Sequence, residues 1–278
     1  MTYHHESGAT GASGAITLDR TEPTVAAAAL MVTATIPIGS ESDAVAVNPV
    51  TGDVYVTSQL DNTVSVISGQ THTVSATIGV DNPQGLAVSP LTGDVYVTNI
   101  SDGTVSVISG QTRAVTATIE VGGLPISVAV NPLTGDVYVT NFSDGTVSVI
   151  SAQTRAVTAT MPVGTSPYGV AANPLTGDVY VTNFSDGTVS VISGLTNTVI
   201  ATIPVGNSPA GVAVHPPTGA VYVTNIKNGT VSVISGLTNT VIATVGVGDG
   251  PVGVAVHPPT GAVYTAHVGD HTVSVISG

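Results

Sequence analysis

The hydrophobic positions of this chain fall in short runs that return at a fixed interval. A Val-Tyr pair recurs with its tyrosine at Tyr55, Tyr96, Tyr138, Tyr180, Tyr222 and Tyr264, and the spacing is 41 residues once and 42 thereafter. Each of the first five units carries four apolar segments, which in the fourth unit read "YGVAANP", "GDVYVTN", "GTVSVIS" and "NTVIATIPVG". These segments are short, β-branched and bounded by Gly, Pro, Asn or Asp, and none sustains a helical period. The pattern therefore predicts six units of four strands.

Four short strands in about 42 residues are typical of one blade of a β-propeller. The turns "NPLTGD" and "NFSDGT" supply the Pro, Gly and Asp-Gly at which hairpins reverse. Segments such as "GVAV" and "VYV" are apolar on both faces, as a blade packed between two neighbours requires. We therefore expect an all-β, six-bladed β-propeller of four-stranded antiparallel blades over residues 30–278.

The two ends of the repeat region are complementary. The sixth unit has three segments and ends in "HTVSVISG", whereas residues 31–39 read "MVTATIPIG" and match the fourth-strand text "AVTATIEVG" and "TVIATIPVG". The sequence predicts that this N-terminal strand completes the last blade and closes the ring, which would remove an exposed sheet edge. Residues 1–29 do not follow the repeat and are expected to form an N-terminal extension, partly flexible or packed on the propeller.

The repeat text resembles a known family. "DVYVTN", with "PxGVAVNPxTG" before it and "GTVSVIS" after it, is similar to the YVTN family of β-propeller repeats over residues 30–278. The resemblance implies the propeller fold; members of the family include cell-surface and surface-layer proteins, and many have no assigned activity. Virginiamycin B lyase-like and gluconolactonase-like propellers are enzymes with an acid/base histidine and a metal near the channel mouth, and this chain resembles them in fold alone.

Charge and composition exclude several classes of partner. Four basic residues stand against seventeen acidic ones, giving a net charge of −13, so nucleic-acid binding is not expected and an anionic membrane surface is disfavoured. The chain has no cysteine and therefore no disulfide or thiolate. The apolar run "VAAAALMV" is too short to span a bilayer. We expect a monomer that binds a small molecule or a protein.

The N-terminus carries no basic and apolar signal-peptide regions. The sequence as written predicts a cytoplasmic protein, or an extracellular or cell-surface one if it was excised from a larger chain.

Two loop positions vary between the six units and are expected near the axis on one face. The first precedes a Gly in most first strands and is occupied by Asp43, Gln84, Ile126, Tyr168, Ala210 and Val252. The second ends the "YVTN" text and is occupied by Ser58, Asn99, Asn141, Asn183, Asn225 and His267. From these positions we predict a ligand-binding set of Asp43, Gln84, Ser58, Gln59, Asn99, Asn141, Asn183 and Asn225. The alternative is that the asparagines stabilise turns through their own backbone.

Candidate chemistry gathers in the first and sixth units. The loop "AHVGDHT" of the sixth unit contains His267, Asp270 and His271, and Glu41 stands in the first unit, which would be its neighbour in a closed ring. We predict His267, His271 and Tyr168 as catalytic residues, because a histidine beside a carboxylate can act as a general base. Glu41 and Asp270, with His267, are the predicted ligands of a divalent metal, Ca, Mg or Zn. The alternative is that these units diverge because they pack at the seam of the ring.

The sequence leaves three functions open. The third of them is a cell-surface structural module. The first is a binding or scaffold propeller that presents its central pocket to a small ligand or a protein partner, which the near-identity of units three to five favours. The second is a metal-assisted lyase, hydrolase or cyclase acting on a small metabolite at the channel mouth, which the local asymmetry favours.

Overall fold

The computed structural model describes residues 34–277, which are built almost entirely from antiparallel strands. The first three blades contain β1 (Ser42–Val47), β2 (Val54–Ser58), β3 (Thr63–Ile67) and β4 (Val74–Gly79); β5 (Pro83–Val88), β6 (Val95–Asn99), β7 (Thr104–Ile108) and β8 (Val115–Glu120); and β9 (Pro125–Val130), β10 (Val137–Asn141), β11 (Thr146–Ser151) and β12 (Ala156–Pro162). The last three contain β13 (Pro167–Ala172), β14 (Val179–Asn183), β15 (Thr188–Ser193) and β16 (Thr198–Pro204); β17 (Pro209–Val214), β18 (Val221–Asn225), β19 (Thr230–Ser235) and β20 (Thr240–Gly246); and β21 (Pro251–Val256), β22 (Val263–His267) and β23 (Val273–Ile276).

Each blade is a meander in which every strand pairs with the next along the chain. Five sheets have four strands and the sixth has three in the described part of the chain. One 3₁₀ turn, Ile226–Asn228, interrupts the strands and ends at Gly229 in the left-handed conformation, with φ of 60°. The predicted all-β, six-bladed propeller is confirmed. Residues 1–29, predicted as an extension, lie outside the described residues.

The hydrophobic core lies between blades rather than within them. Between the first and second blades, Tyr55 and Val64 pack against Val95, Val97 and Ile108, and all five side chains are fully buried. Equivalent clusters lie between the next three pairs of blades. The segments "VYV" and "VSV" are apolar on both faces because each blade contributes to two of these interfaces.

In each of the first five blades, a threonine hydroxyl of the second strand donates a hydrogen bond to the next blade. Thr140 accepts a hydrogen bond from the N–H of Ser127 in its own blade at 3.0 Å and donates to the carbonyl of Tyr168 in the next blade at 2.9 Å. The same donation recurs at 2.8–3.2 Å from four other threonines, which are Thr57 to Gln84, Thr98 to Ile126, Thr182 to Ala210 and Thr224 to Val252. These are the threonines of the "YVTN" text, so the repeated letter encodes the contact between blades.

Further polar contacts between neighbouring blades lie on the opposite face. Asn131 Nδ2 donates to the carbonyl of Gly177 in the next blade at 2.9 Å. His215 occupies the equivalent position in the fifth blade, and its ring contacts the Pro258 carbonyl of the sixth blade at 3.2 Å. His215 is therefore a contact between blades as well as a turn residue. The Arg113 guanidinium pairs with Asp53 of the preceding blade at 2.8 Å.

The repeated tyrosine also reaches the next blade. Tyr138 donates from its hydroxyl to Asn197 Oδ1 at 2.7 Å, and Tyr180 donates to Asn239 in the same way. Burial raises the pKa of Tyr138 to about 12, and the Asp136 carboxylate adds to the rise. The phenol is therefore held in its protonated, donating form.

The ring has an open seam between its sixth and first blades. The inner strands pack in order from β1 to β5, β9, β13, β17 and β21, but β21 and β1 do not pack against each other in this way. As a result Tyr264 is 44% exposed, whereas its equivalent Tyr138 is fully buried, and Val45 and Val273 are also exposed. Ala266 takes the place of the threonine in the sixth blade, so the hydroxyl that would tie this blade to the first is missing.

The predicted closing strand is not found among the described residues. Residues 34–39 lie outside every strand, and the sixth sheet ends at β23. The other part of the predicted strand, residues 30–33, lies outside the described residues. The text of this segment matches a fourth strand, but pairing it with β23 would require the sixth and first blades to approach as the other blades do.

We expect Thr140→Val to lower the free energy of unfolding by about 1–3 kcal/mol, because the Tyr168 carbonyl and the Ser127 N–H lose their shared buried partner. Thr165→Val, at an exposed loop position, is the control and should change stability by less than about 0.5 kcal/mol. Urea unfolding of the two variants checks this. Equal stability of the two would show that the hydroxyl does not hold the blades together.

The open seam predicts unequal costs for two equivalent tyrosines. Tyr138→Ala should lower the free energy of unfolding by about 3–5 kcal/mol, as for other buried aromatic residues. Tyr264→Ala should cost at most about half as much, because the side chain is already partly in water. Chemical denaturation measures both. Equal losses would mean that the seam is closed in solution.

Candidate functional site

The first strands of all six blades surround one central cavity of about 450 Å³. Its wall contains the six residues at the first varied position, which are Asp43, Gln84, Ile126, Tyr168, Ala210 and Val252. The volume is within the range of small-molecule sites. The cavity is therefore the place where the six units differ and face one another.

Threonine hydroxyls of the preceding blades hold the backbone at five of the six varied residues, all but Asp43. In the fourth blade the Tyr168 carbonyl accepts from Thr140 of the preceding blade, and the following N–H, of Gly169, donates to Thr182 of its own blade at 2.8 Å. The pairing of β13 with β14 also shifts register between Pro167 and Val170. Both main-chain groups are thus occupied, and the side chain is left to line the cavity.

One side of the cavity is aromatic. The ring of Tyr168 lies between those of Phe142 and Phe184, with centroid distances of 6.5 and 6.0 Å. Both phenylalanines directly follow the "YVTN" text, where the other units have Gln59, Ile100, Ile226 and Val268. The chain has two phenylalanines, and both support this tyrosine. Such ring distances are those of favourable aromatic pairs.

The first two blades make the cavity polar. Asp43 is the charged residue of its lining, and Gln84 lies next to it in the ring. Gln84 Oε1 is buried and has no hydrogen-bond partner within the described residues. The third, fifth and sixth blades contribute Ile126, Ala210 and Val252, which are apolar. The lining is therefore divided into a polar, anionic side and an apolar, aromatic side.

The asparagines predicted to bind ligand are used inside their blades. Asn141 is fully buried; its Nδ2 donates to Thr146 and Ser148 at 3.0 and 2.9 Å, and its Oδ1 accepts from the Gly122 N–H at 3.2 Å. Asn183 and Asn225 make the same three contacts. These residues join the third strand to the loop before the first strand. None of them belongs to the cavity lining.

The remaining predicted ligand residues lie near the same loops of the first two blades. Asn99 donates as the others do, but its Oδ1 is buried without a partner in the described part of the chain, and the loop before β5 is one residue shorter than the loop before β9. Ser58 is buried and its Oγ has no partner within the described residues. Gln59 donates its N–H to the Glu41 carbonyl at 2.9 Å. Of this predicted set, Asp43 and Gln84 line the cavity.

His267 occupies the asparagine position of the sixth blade and is buried. Its Nδ1 lies 2.9 Å from Thr272 Oγ1 and its Nε2 lies 2.8 Å from Thr265 Oγ1, so a hydroxyl engages each ring nitrogen. The Asp270 carboxylate is 3.5 Å from Nδ1. His271 is exposed, with φ of 57°. The sixth unit therefore replaces the asparagine contacts with a histidine and two threonines.

Asp270 holds the loop before β21 through a hydrogen bond to its backbone. It accepts from the Thr272 hydroxyl at 2.8 Å and from the Asp249 N–H at 3.0 Å. The Thr272 hydrogen bond is the main reason that the pKa of Asp270 lies below its ordinary value, and the Asp249 bond adds to the effect. The equivalent Asp144 and Asp186 accept N–H groups in the same way, so the contact belongs to the repeat.

The structure does not bring the predicted metal ligands and catalytic residues into one cluster. Tyr168 lines the cavity, whereas His267 and His271 do not. Glu41 is an exposed residue just before β1 in the first blade. Within residues 34–277 no group of three or more His, Asp or Glu side chains is placed to hold a metal ion. In the same range no helix has the length and apolar character needed to cross a membrane.

Comparison with known proteins supports the fold. No family model matches the chain. It is 66% identical over 35 residues to the PE-PGRS family protein PE_PGRS18 of Mycobacterium tuberculosis, a match that covers 13% of this chain and 8% of that protein.

Two solved structures are similar across most of the molecule. Virginiamycin B lyase from Staphylococcus aureus matches with a TM-score of 0.69 and 11% identity, over 85% of this chain and 84% of that chain. Kuenenia stuttgartiensis hydrazine synthase matches with a TM-score of 0.58 and 16% identity, over 89% and 99%. At these identities the likeness is one of fold.

The hydrogen bonds of Asp270 predict a pH-dependent contribution to stability. Because its pKa is lowered in the folded state, the contribution is present above the ordinary value of 3.8 and is lost as pH falls through the folded value. Asp270→Asn should therefore lower the melting temperature at neutral pH, and the difference from wild type should shrink in acid. Asp102 occupies the same loop position in the second blade without such a bond in the described structure, so Asp102→Asn is the control. Thermal melts across this pH range test it, and a difference that persists in acid would contradict it.

Proposed function

We propose that this chain is a binding protein whose central cavity takes a small organic cation with an apolar or aromatic body. The observation that carries the proposal is the division of the cavity lining. Six equivalent positions face one cavity, and they place a carboxylate and an amide on one side and a tyrosine with apolar residues on the other. A ligand with one charged end and one apolar end matches this division.

The aromatic side suits the body of such a ligand. Tyr168 is supported on both flanks by Phe142 and Phe184, which limits the positions open to its ring. Ile126 and Val252 extend the apolar surface around the cavity. Burial of an aromatic or branched aliphatic group here removes apolar surface from water, which contributes about 25 cal/mol for each Å². A ring of Tyr also attracts a cation placed over its face.

The polar side suits the charged end. Asp43 supplies a negative charge, and the molecule as a whole carries −13, so a cation is attracted and an anion repelled. Gln84 adds an acceptor, Oε1, that no other group in the described residues satisfies. A protonated amine provides both the charge and the N–H donors that these two side chains accept.

The ties between blades support a preformed site. The carbonyls of Gln84 and Tyr168 are fixed by threonines of the preceding blades, so these parts of the cavity wall do not have to assemble when the ligand enters. A preorganised site loses less conformational entropy on binding. The repeat text supports membership of the YVTN propeller family, which we propose together with this function.

A metal-assisted lyase, hydrolase or cyclase has less support. Virginiamycin B lyase shares the fold at 11% identity, which does not carry its reaction to this chain. Threonine hydroxyls engage both ring nitrogens of His267, and the candidate catalytic side chains do not surround one point. The cavity residues instead have the variety of a binding site.

Three probes of similar size and different charge test the proposal. Phenethylamine should bind more tightly than 2-phenylethanol, and 3-phenylpropionate should bind least. Asp43→Asn should weaken phenethylamine by about tenfold, which is about 1.4 kcal/mol, and Tyr168→Ala should weaken both the amine and the alcohol. Isothermal titration calorimetry measures these affinities.

The control is Glu41→Gln, which removes a charge two residues from Asp43 without altering the cavity lining. It should leave binding nearly unchanged. Equal effects of the two charge removals would show that the cavity does not hold the amine. Binding of none of the three probes would overturn the proposed function.

A further inference from the structure

The sixth blade has an open strand edge. In the other five sheets the third strand pairs with a fourth, as β7 does with β8 and β11 with β12. The sixth sheet ends at β23, and no other described strand pairs with its outer edge. Val273 and Val275 of β23 are 61% and 57% exposed, whereas the equivalent Val147 and Val149 are fully buried. An edge of this kind is a template for pairing with another strand.

The same chain carries a segment with the text of the missing partner. Residues 34–39 read "ATIPIG", and residues 201–206, in and after the fourth strand β16, read "ATIPVG". Yet residues 34–39 lie outside every strand of the described structure. The outer edge of β23 is thus paired with no described strand, and residues 34–39 have the sequence of a fourth strand but do not form one.

The end of this segment is placed as it is in the other blades. The Ser40 N–H donates to Asp61 at 2.7 Å, which matches the bond from the Gly123 N–H to Asp144. Gly39 lies against the side chain of Ser58, as Gly122 lies against that of Asn141. The segment therefore leaves the first blade in the position from which a fourth strand normally arrives.

The sixth blade, which contains β23, does not pack on the first blade as the other neighbouring blades pack on each other. The inner strands β1 and β21 are not packed together, Ala266 lacks the hydroxyl tie, and His257 is exposed where His215 makes a contact between blades. Pairing within one chain requires the seam to close without these ties. Pairing between two copies does not, because a second copy can approach the edge independently.

We propose that residues 34–39 of one copy pair with β23 of a second copy, and that a reciprocal exchange produces a dimer. Exchange of an identical element is a common route to dimers. The register follows from the second blade, where Ser106 pairs with Thr118 and Val107 with Ala117. By the same alignment Thr35 of one copy faces Ser274 of the other, and Ala34 faces Val275. This departs from the monomer expected from the sequence.

Disulfide trapping tests the exchange without background, because the chain has no cysteine. Thr35→Cys and Ser274→Cys are made as separate single variants, mixed, incubated to allow exchange and oxidised. Directly opposed residues of paired strands lie about 4.5–5.5 Å apart between Cα atoms, which is within disulfide range. We expect a disulfide-linked heterodimer of twice 27.4 kDa on a non-reducing gel and the same mass for the wild type by light scattering.

The matched control uses the second blade, in which the equivalent pair lies within one chain. The double variant Ser106→Cys/Thr118→Cys should form an intrachain disulfide, and a mixture of its two single variants should form no heterodimer. The pair Ala34→Cys and Val275→Cys repeats the test if a first variant does not fold. A wild type that is monomeric, a mixture without heterodimer, or a Thr35→Cys/Ser274→Cys double variant that links only within one chain would each overturn the proposal.

Discussion

The hydroxyl of the repeated threonine is the contact on which the rest of this propeller depends. It accepts from its own blade and donates to the next, so one side chain joins two sheets that have no strand pairing in common. Apolar packing of tyrosine and valine between the blades is larger in area but does not fix one blade's position along the other. The directional bond does, because a hydrogen bond weakens steeply when its geometry is lost.

The same bond allows the side chains of the cavity wall to change without a change in the backbone. It holds the main-chain carbonyl of every varied residue except Asp43, and a carbonyl is present whatever the side chain is. Gln84, Tyr168 and Val252 can therefore occupy equivalent positions on nearly the same backbone. The units are free to differ at this position and constrained almost everywhere else. That is why the residues lining the cavity are also the most varied ones in a repetitive chain.

The fold and the cavity positions could be predicted because both depend on periodicity. The return of Tyr55 and its five equivalents fixed the number of blades, and variation at one strand position marked the residues that face the axis. The roles of Asn141 and His267 could not be predicted in this way. Residue type shows that a side chain can bind a ligand, but not that two hydroxyls and an N–H of the same blade already occupy it.

The sixth unit shows how asymmetry can be misread as chemistry. Its text "YTAH" departs from "YVTN" at three letters, and all three changes alter contacts within the sheet or across the seam. Thr265 engages His267, which fills the asparagine position, and Ala266 removes the tie to the first blade. These substitutions make sense for a blade that has no neighbour packed on one side, since a threonine there would have no carbonyl to bind. The departures therefore mark the end of the stack of blades, and the departures that can change ligand chemistry are those of Asp43, Gln84 and Tyr168 in the cavity wall.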